Sequence, residues 1–272
     1  MHADELKALL QSFSDEYIPP ATTNREAVLN AMIEHLGNPD PVLRDGLIYE
    51  AMTYWTLKHG YVSIEQFRQL AATLIDDQHL FYNIDQHDQT SVFQRTFSAL
   101  WLAVVVNKSI HEPVLTGEQL TTIAQAMISY LQREHDVRGY TSEHGWAHGV
   151  AHASDVVKQL ARCDGVDQGA WLPLLDALGD AVTSPQHGFV HEEDERAASA
   201  LIMLLEKQRI TEAQFLEWIK QRAEALGERD LTNYRYVNTK HLIRSLYAQT
   251  HDKPSLNVIH EALRELVFRL HQ

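Results

Sequence analysis

A chain of 272 residues is long for one hydrophobic core and short for two, so it allows one extended domain or two closely packed halves. With 44% hydrophobic and 22% charged residues its composition is globular, and it carries none of the bias of disordered, collagenous or membrane chains. The formal charge of −14 repels a phosphate backbone, and no dense Lys/Arg cluster makes a local exception, which excludes nucleic acid as an expected partner. Sixteen histidines would shrink that negative charge in mild acid.

The opening MHADELKALL reads as the start of a helix and lacks the pattern of a secretory leader. Thr23 with Glu26 has the spacing of a capping box, and Gly37 sits where a helix stops. Asp40 followed by Pro41 supplies an N-cap and a first-turn proline, and Gly60 closes that next helix. Ser63 with Gln66 opens another, whose Phe67, Leu70, Ala71, Leu74 and Ile75 keep the helical period. Residues 99–106 form the longest apolar stretch, far short of the roughly 20 residues a membrane span needs. Thr116 with Gln119 and Thr211 with Gln214 repeat the capping signal, the latter ahead of Phe215, Trp218, Ile219, Ala223 and Leu226. Sustained alternation of the strand type is missing. These signals predict a single all-α domain over residues 1–272. About ten to twelve helices would pack as antiparallel hairpins, in an α/α superhelix of HEAT-like type or an α/α toroid. The least regular stretches are 77–90, 134–143, 183–191 and 226–238, and irregular loops often carry function. The lone Cys163 excludes an internal disulfide and fits a reducing compartment, so the expected location is cytoplasmic, away from membranes.

The most informative segment runs from Arg133 to Asp155, REHDVRGYTSEHGWAHGVAHASD. Read as a helix over 144–159, it places His144, His148, His152, Asp155 and Gln159 within about 80° of one another. Trp146, Val150, Ala153, Val157 and Leu160 would then face the core. His148 and His152 stand one turn apart with Asp155 three residues on, a set that suits a divalent zinc, manganese or iron. The pattern lacks the glutamate of the H-E-x-x-H hydrolases, and an ordinary solvated or hydrogen-bonded polar face explains it equally simply. Upstream, Asp136, Arg138 and Tyr140 form a polar turn in which Arg138 either pairs with Asp136 or Asp155 or holds an anionic ligand, while the Tyr140 ring would close the core. His191, Glu193, Asp194 and Arg196 stand at the start of another helix, where acidic residues already suit the helix dipole. If that start abuts the histidines, His191 and Glu193 become further ligands or a general base. Arg44 with Asp45, and Arg95, are charges among apolar neighbours, either paired internally or aimed into a cleft. The candidates are therefore Glu193 and Asp136 for catalysis, and Arg138, Tyr140, His144, Trp146, His191, Arg196 and Arg95 for ligand binding. No G-x-S-x-G elbow and no glycine-rich phosphate loop occurs.

Taken in order, NPDPVLRD, SVFQRTFSAL, DVRGY with GWAHGVAHASD, and HEEDER resemble the successive blocks of the domain-of-unknown-function family 2785, over most of the chain. The resemblance implies a small, bacterial, mostly cytoplasmic helical protein and transfers no catalytic residues. Two functions remain in view. One is a helical-stack binding module whose His-rich groove takes a peptide or a small polar ligand, and the other is a metal-dependent hydrolase using His148, His152 and Asp155. Oligomeric state cannot be read from the sequence.

Overall fold

Short polar side chains decide where the helices of this protein begin. Ser63, Thr116 and Thr211 each close a capping box with a glutamine three residues on, satisfying two backbone N–H groups that the first turn leaves without partners. At the second helix the cap falls one residue later than Thr23, on Asn24, whose side chain accepts from the Ala27 N–H. Asp40 caps the next helix through the Val42 N–H, with Pro41 in the first turn.

The computed structural model describes residues 1–86 and 88–270. Twelve helices are found among them: α1 (Ala3–Gln11), α2 (Arg25–Glu34), α3 (41–58), α4 (Ile64–Leu74), α5 (Ser91–His111), α6 (Gly117–Arg133), α7 (Gly149–Arg162), α8 (Trp171–Val182), α9 (Glu193–Glu206), α10 (Glu212–Glu224), α11 (Tyr234–Thr250) and α12 (Asn257–Arg269). α3 is continuous but contains two wide π-type stretches, Arg44–Tyr49 and Tyr54–Lys58. A two-residue antiparallel ribbon, β1 (Tyr140–Thr141) and β2 (Gly145–Trp146), pairs Tyr140 with Trp146.

The helices build a superhelical stack, one of the two arrangements that the sequence leaves open. Its most extensive contacts link alternate helices: α5 with α7, α7 with α9, and α9 with α11, while α6 packs on α8 in a second row. α5 is buried all round through its middle, with Trp101, Leu102, Val105 and Val106 among its enclosed residues, and its amphipathic neighbours cover it. Among the described residues no helix is long and apolar enough to cross a membrane.

Because α6 returns the chain between α5 and α7, and α8 does so between α7 and α9, the helices of the first row run the same way. Their entry loops therefore gather along one edge. The irregular stretches around 77–90, 134–148 and 183–192 are such entries, and the fourth ends at Asn233 because Tyr234 already opens α11.

Candidate functional site

The segment that reads as one helix over 144–159 is divided in the structure. α7 begins only at Gly149, with His144 in the turn and Trp146 in the second strand of the ribbon before it. Tertiary contacts override the local helical pattern. The Ala147 and His148 N–H groups donate to the carbonyls of Gly139 and Arg138 at 2.8 and 3.1 Å, and Gly145 takes a left-handed φ of 74°. Arg44, with no exposed surface, donates through Nη2 to the His144 carbonyl at 2.6 Å and through Nε to Asp45 at 2.7 Å. Its guanidinium lies over the rings of Phe93 and Phe97, so the charge among apolar neighbours is paired internally.

His144, His148 and His152 consequently do not form one stripe. The His144 ring packs edge-on to Phe93 at 5.7 Å, away from the other two. Trp146 does not face the core; it is partly exposed on the ribbon, edge-to-face with Tyr140 at 4.9 Å, and Tyr140 is likewise exposed and closes no core. Trp146 also lies 4.3 Å from the His148 ring and 5.4 Å from that of His191.

The adjacency left open by the sequence is present. α9 begins beside α7, and His148 Nε2 comes within 3.6 Å of Glu193 Oε1. Both residues are enclosed, at 8% and 2% exposure, and neither of these two atoms has a hydrogen-bond partner among the described residues. The other Glu193 oxygen accepts from the His191 N–H at 2.8 Å, and the first turn of α9 favours its negative charge. Both helices are entered through non-glycine residues in the left-handed region, His148 at φ 51° and Glu192 at φ 68°. Backbone strain of this kind costs about 1–3 kcal/mol per residue and gathers at functional sites.

Burial, followed by the nearby Arg196 charge and His191, lowers the His148 pKa to about 4, so its ring is neutral at pH 7. His152 is pushed well below its ordinary value by burial and then by His148, and its Nδ1 is bonded to the Thr96 carbonyl at 3.1 Å. Asp155 is raised by burial but held as a carboxylate partner of Arg196. The three residues expected to share a metal thus have separate partners. Among the described residues no group of three or more His, Cys, Asp or Glu side chains is arranged to hold an ion.

Arg138 pairs with Asp136, Nε to Oδ1 at 2.8 Å and Nη2 to Oδ2 at 2.5 Å, and reaches the Gln89 carbonyl at 2.8 Å. The Asp136 bond raises its pKa, keeping the guanidinium charged. Arg95 is spent more fully: it grips Glu134 with Nε and Nη2 and bonds the Tyr82 carbonyl and Ser91 Oγ through Nη1. These residues line a cleft of about 760 Å³ at the edge where the entry loops gather, together with Gln89, His135, Gln186 and His187. Residues 134–138 line it, and the next residue of the loop, Gly139, lies against His191 and Glu193 of the histidine cluster. A Cβ there would come within 2.3 Å of His191 Nδ1 and 2.7 Å of Glu193 Oε1, so any larger residue has to displace those two side chains.

Sequence reasoning missed Gln89, Glu134, His135, Gln186 and His187 as lining groups. All lie in or beside the irregular stretches singled out as loops, which was the available signal; nothing in residue spacing says that three such stretches share one edge.

The fold and this edge define an all-α superhelical stack with a polar cleft formed by the entry loops of its first row. The family described as "Protein of unknown function (DUF2785)" matches residues 80–248, more than half of the chain, and the chain belongs to it. The match includes SVFQRTFSAL, DVRGY, GWAHGVAHASD and HEEDER, and leaves NPDPVLRD outside. No curated protein and no solved structure matches.

Proposed function

We propose that this chain is a ligand-binding module on a HEAT-like frame that takes a small polar ligand, or the polar end of a peptide, into the cleft above the loop 134–139. The observation that carries this reading is the double position of that loop. Asp136 and Arg138 line a cleft of ligand size on one side, while Gly139 on the other rests against His191 and Glu193. Occupancy of the cleft is thereby linked by direct contact to two polar side chains, the half-buried His191 and the enclosed Glu193. Metal-assisted hydrolysis would need Asp155 to abandon Arg196, so Asp136 and Glu193 are assigned to ligand contact and positioning rather than to acid–base work. A reducing, cytoplasmic setting suits the buried thiol of Cys163.

A thermal-shift and titration screen with amino acids, dipeptides, sugars and small organic acids tests the reading. A hit should raise the melting temperature of the wild type, and Arg138→Gln should weaken it by about tenfold, as expected for loss of a charged hydrogen bond. A panel without hits, or hits bound equally by Arg138→Gln and Asp136→Asn, refutes it.

A further inference from the structure

Further along the same edge, the ends of α8 and α10 and the start of α11 enclose a separate pocket of about 240 Å³, lined by Asp176, Thr183, Trp218, Arg222, Arg235 and Thr239 among others. We propose that this pocket binds a small oxyanion, a carboxylate or a phosphate group. The reasons are those of donors without acceptors. Trp218 is 7% exposed, and its indole N–H is buried without a hydrogen-bond partner among the described residues. The Arg222 Nε–H is buried in the same condition. Both groups are held rigidly: the guanidinium lies 4.7 Å over the Trp218 ring, and the pair is pressed onto Gly179, where a Cβ would come within 2.4 Å of the indole.

Neither threonine hydroxyl competes as a donor, since Thr183 and Thr239 already give their hydrogens to the Gly179 and Arg235 carbonyls, both at 2.7 Å. Arg222 spends its outer nitrogens on Asp180 and Asp176, two largely exposed carboxylates, which leaves that trio with a surplus of negative charge. Arg235 redresses it. This guanidinium lines the pocket, is exposed and has no side-chain partner among the described residues. One residue beyond Thr239, the buried Lys240 is lowered by burial and then by the charges of Arg244 and Arg229. The start of α11 is thus locally cationic in a chain of net charge −14. An enclosed indole N–H, the single unpartnered Nε–H of Arg222 and the arginine at 235 together match an oxygen acceptor carrying negative charge, because hydrogen bonds to charged acceptors are the stronger ones.

Isothermal titration with inorganic phosphate and, separately, with acetate, each at ionic strength matched by chloride, tests the assignment. The wild type should bind one of them saturably at a single site, and which one it binds distinguishes phosphate from carboxylate. Trp218→Phe, which removes the N–H donor together with the larger part of the indole, and Arg235→Gln, which changes an exposed side chain, should each weaken binding by about tenfold, and Arg235→Gln should leave the melting temperature of the unliganded protein nearly unchanged. The proposal is overturned if neither anion saturates, or if binding survives Trp218→Phe or Arg235→Gln within about twofold.

Discussion

Replacing His148 by asparagine isolates the electrostatic cost of enclosing that imidazole. Asparagine tolerates the left-handed backbone at φ 51° and does not titrate, so the substitution removes the proton site while keeping the entry into α7. In the wild type the unfolded chain takes a proton on this residue at the ordinary 6.5, whereas the folded chain takes it only at about 4. The unfolded state therefore binds more protons throughout that window, and the stability present above pH 6.5 is lost as pH falls toward 4. With 1.36 kcal/mol per pKa unit, the loss from this residue is about 2 kcal/mol at pH 5 and about 3 kcal/mol at pH 4. That is a large fraction of the 5–15 kcal/mol typical of a folded domain. Urea unfolding at pH 7 and pH 5 measures it: the stability difference between the two conditions should shrink by about 2 kcal/mol in His148→Asn. His152 remains in the variant and keeps part of the acid sensitivity, since its pKa is also depressed. If the variant loses as much stability as the wild type between pH 7 and pH 5, His148 is not neutral and enclosed, and the account of the cluster fails.

Gly139→Ala should cost about 1–3 kcal/mol of stability in chemical denaturation, because its methyl group would displace the His191 ring and the Glu193 carboxylate; an unchanged midpoint would show that the loop moves aside freely. Arg44→Met should loosen the ribbon by removing the donor to the His144 carbonyl, visible as faster amide exchange at Ala147 and His148 with α8 and α10 unaffected. Cys163 is buried and its thiol is pushed up to about 11, chiefly by burial, so a thiol reagent at pH 7 should label it only after denaturation.

Much of the fold was legible because helix signals are local. Ser63, Thr116 and Thr211 announce their helices through side chains three residues apart, and Asp40 with Pro41 does the same. The site was legible by address but not by arrangement. Glu193 and His191 stand beside His148, as an abutting helix start required, while His144 and Trp146 were assigned to a helix they do not join. The period of 3.6 residues extends through Gly145 and Ala147 on paper, but the chain there is held by Arg44 from one hundred residues earlier and by the Arg138 and Gly139 carbonyls. Residue spacing carries no information about such partners. Asp155 shows the same limit from the other side, since its place on α7 follows from periodicity and its partner Arg196 does not.

Residue pattern alone settled what depends on neighbours a few positions apart: helical class, most of the starts, the polar character of the entry loops and the lack of an apolar segment long enough to span a bilayer. Which loops share an edge, where α7 begins and which carboxylate meets which imidazole were decided only in three dimensions. These outcomes rest on contacts between residues dozens of positions apart, and only packing of the whole stack selects among the many pairings that composition permits.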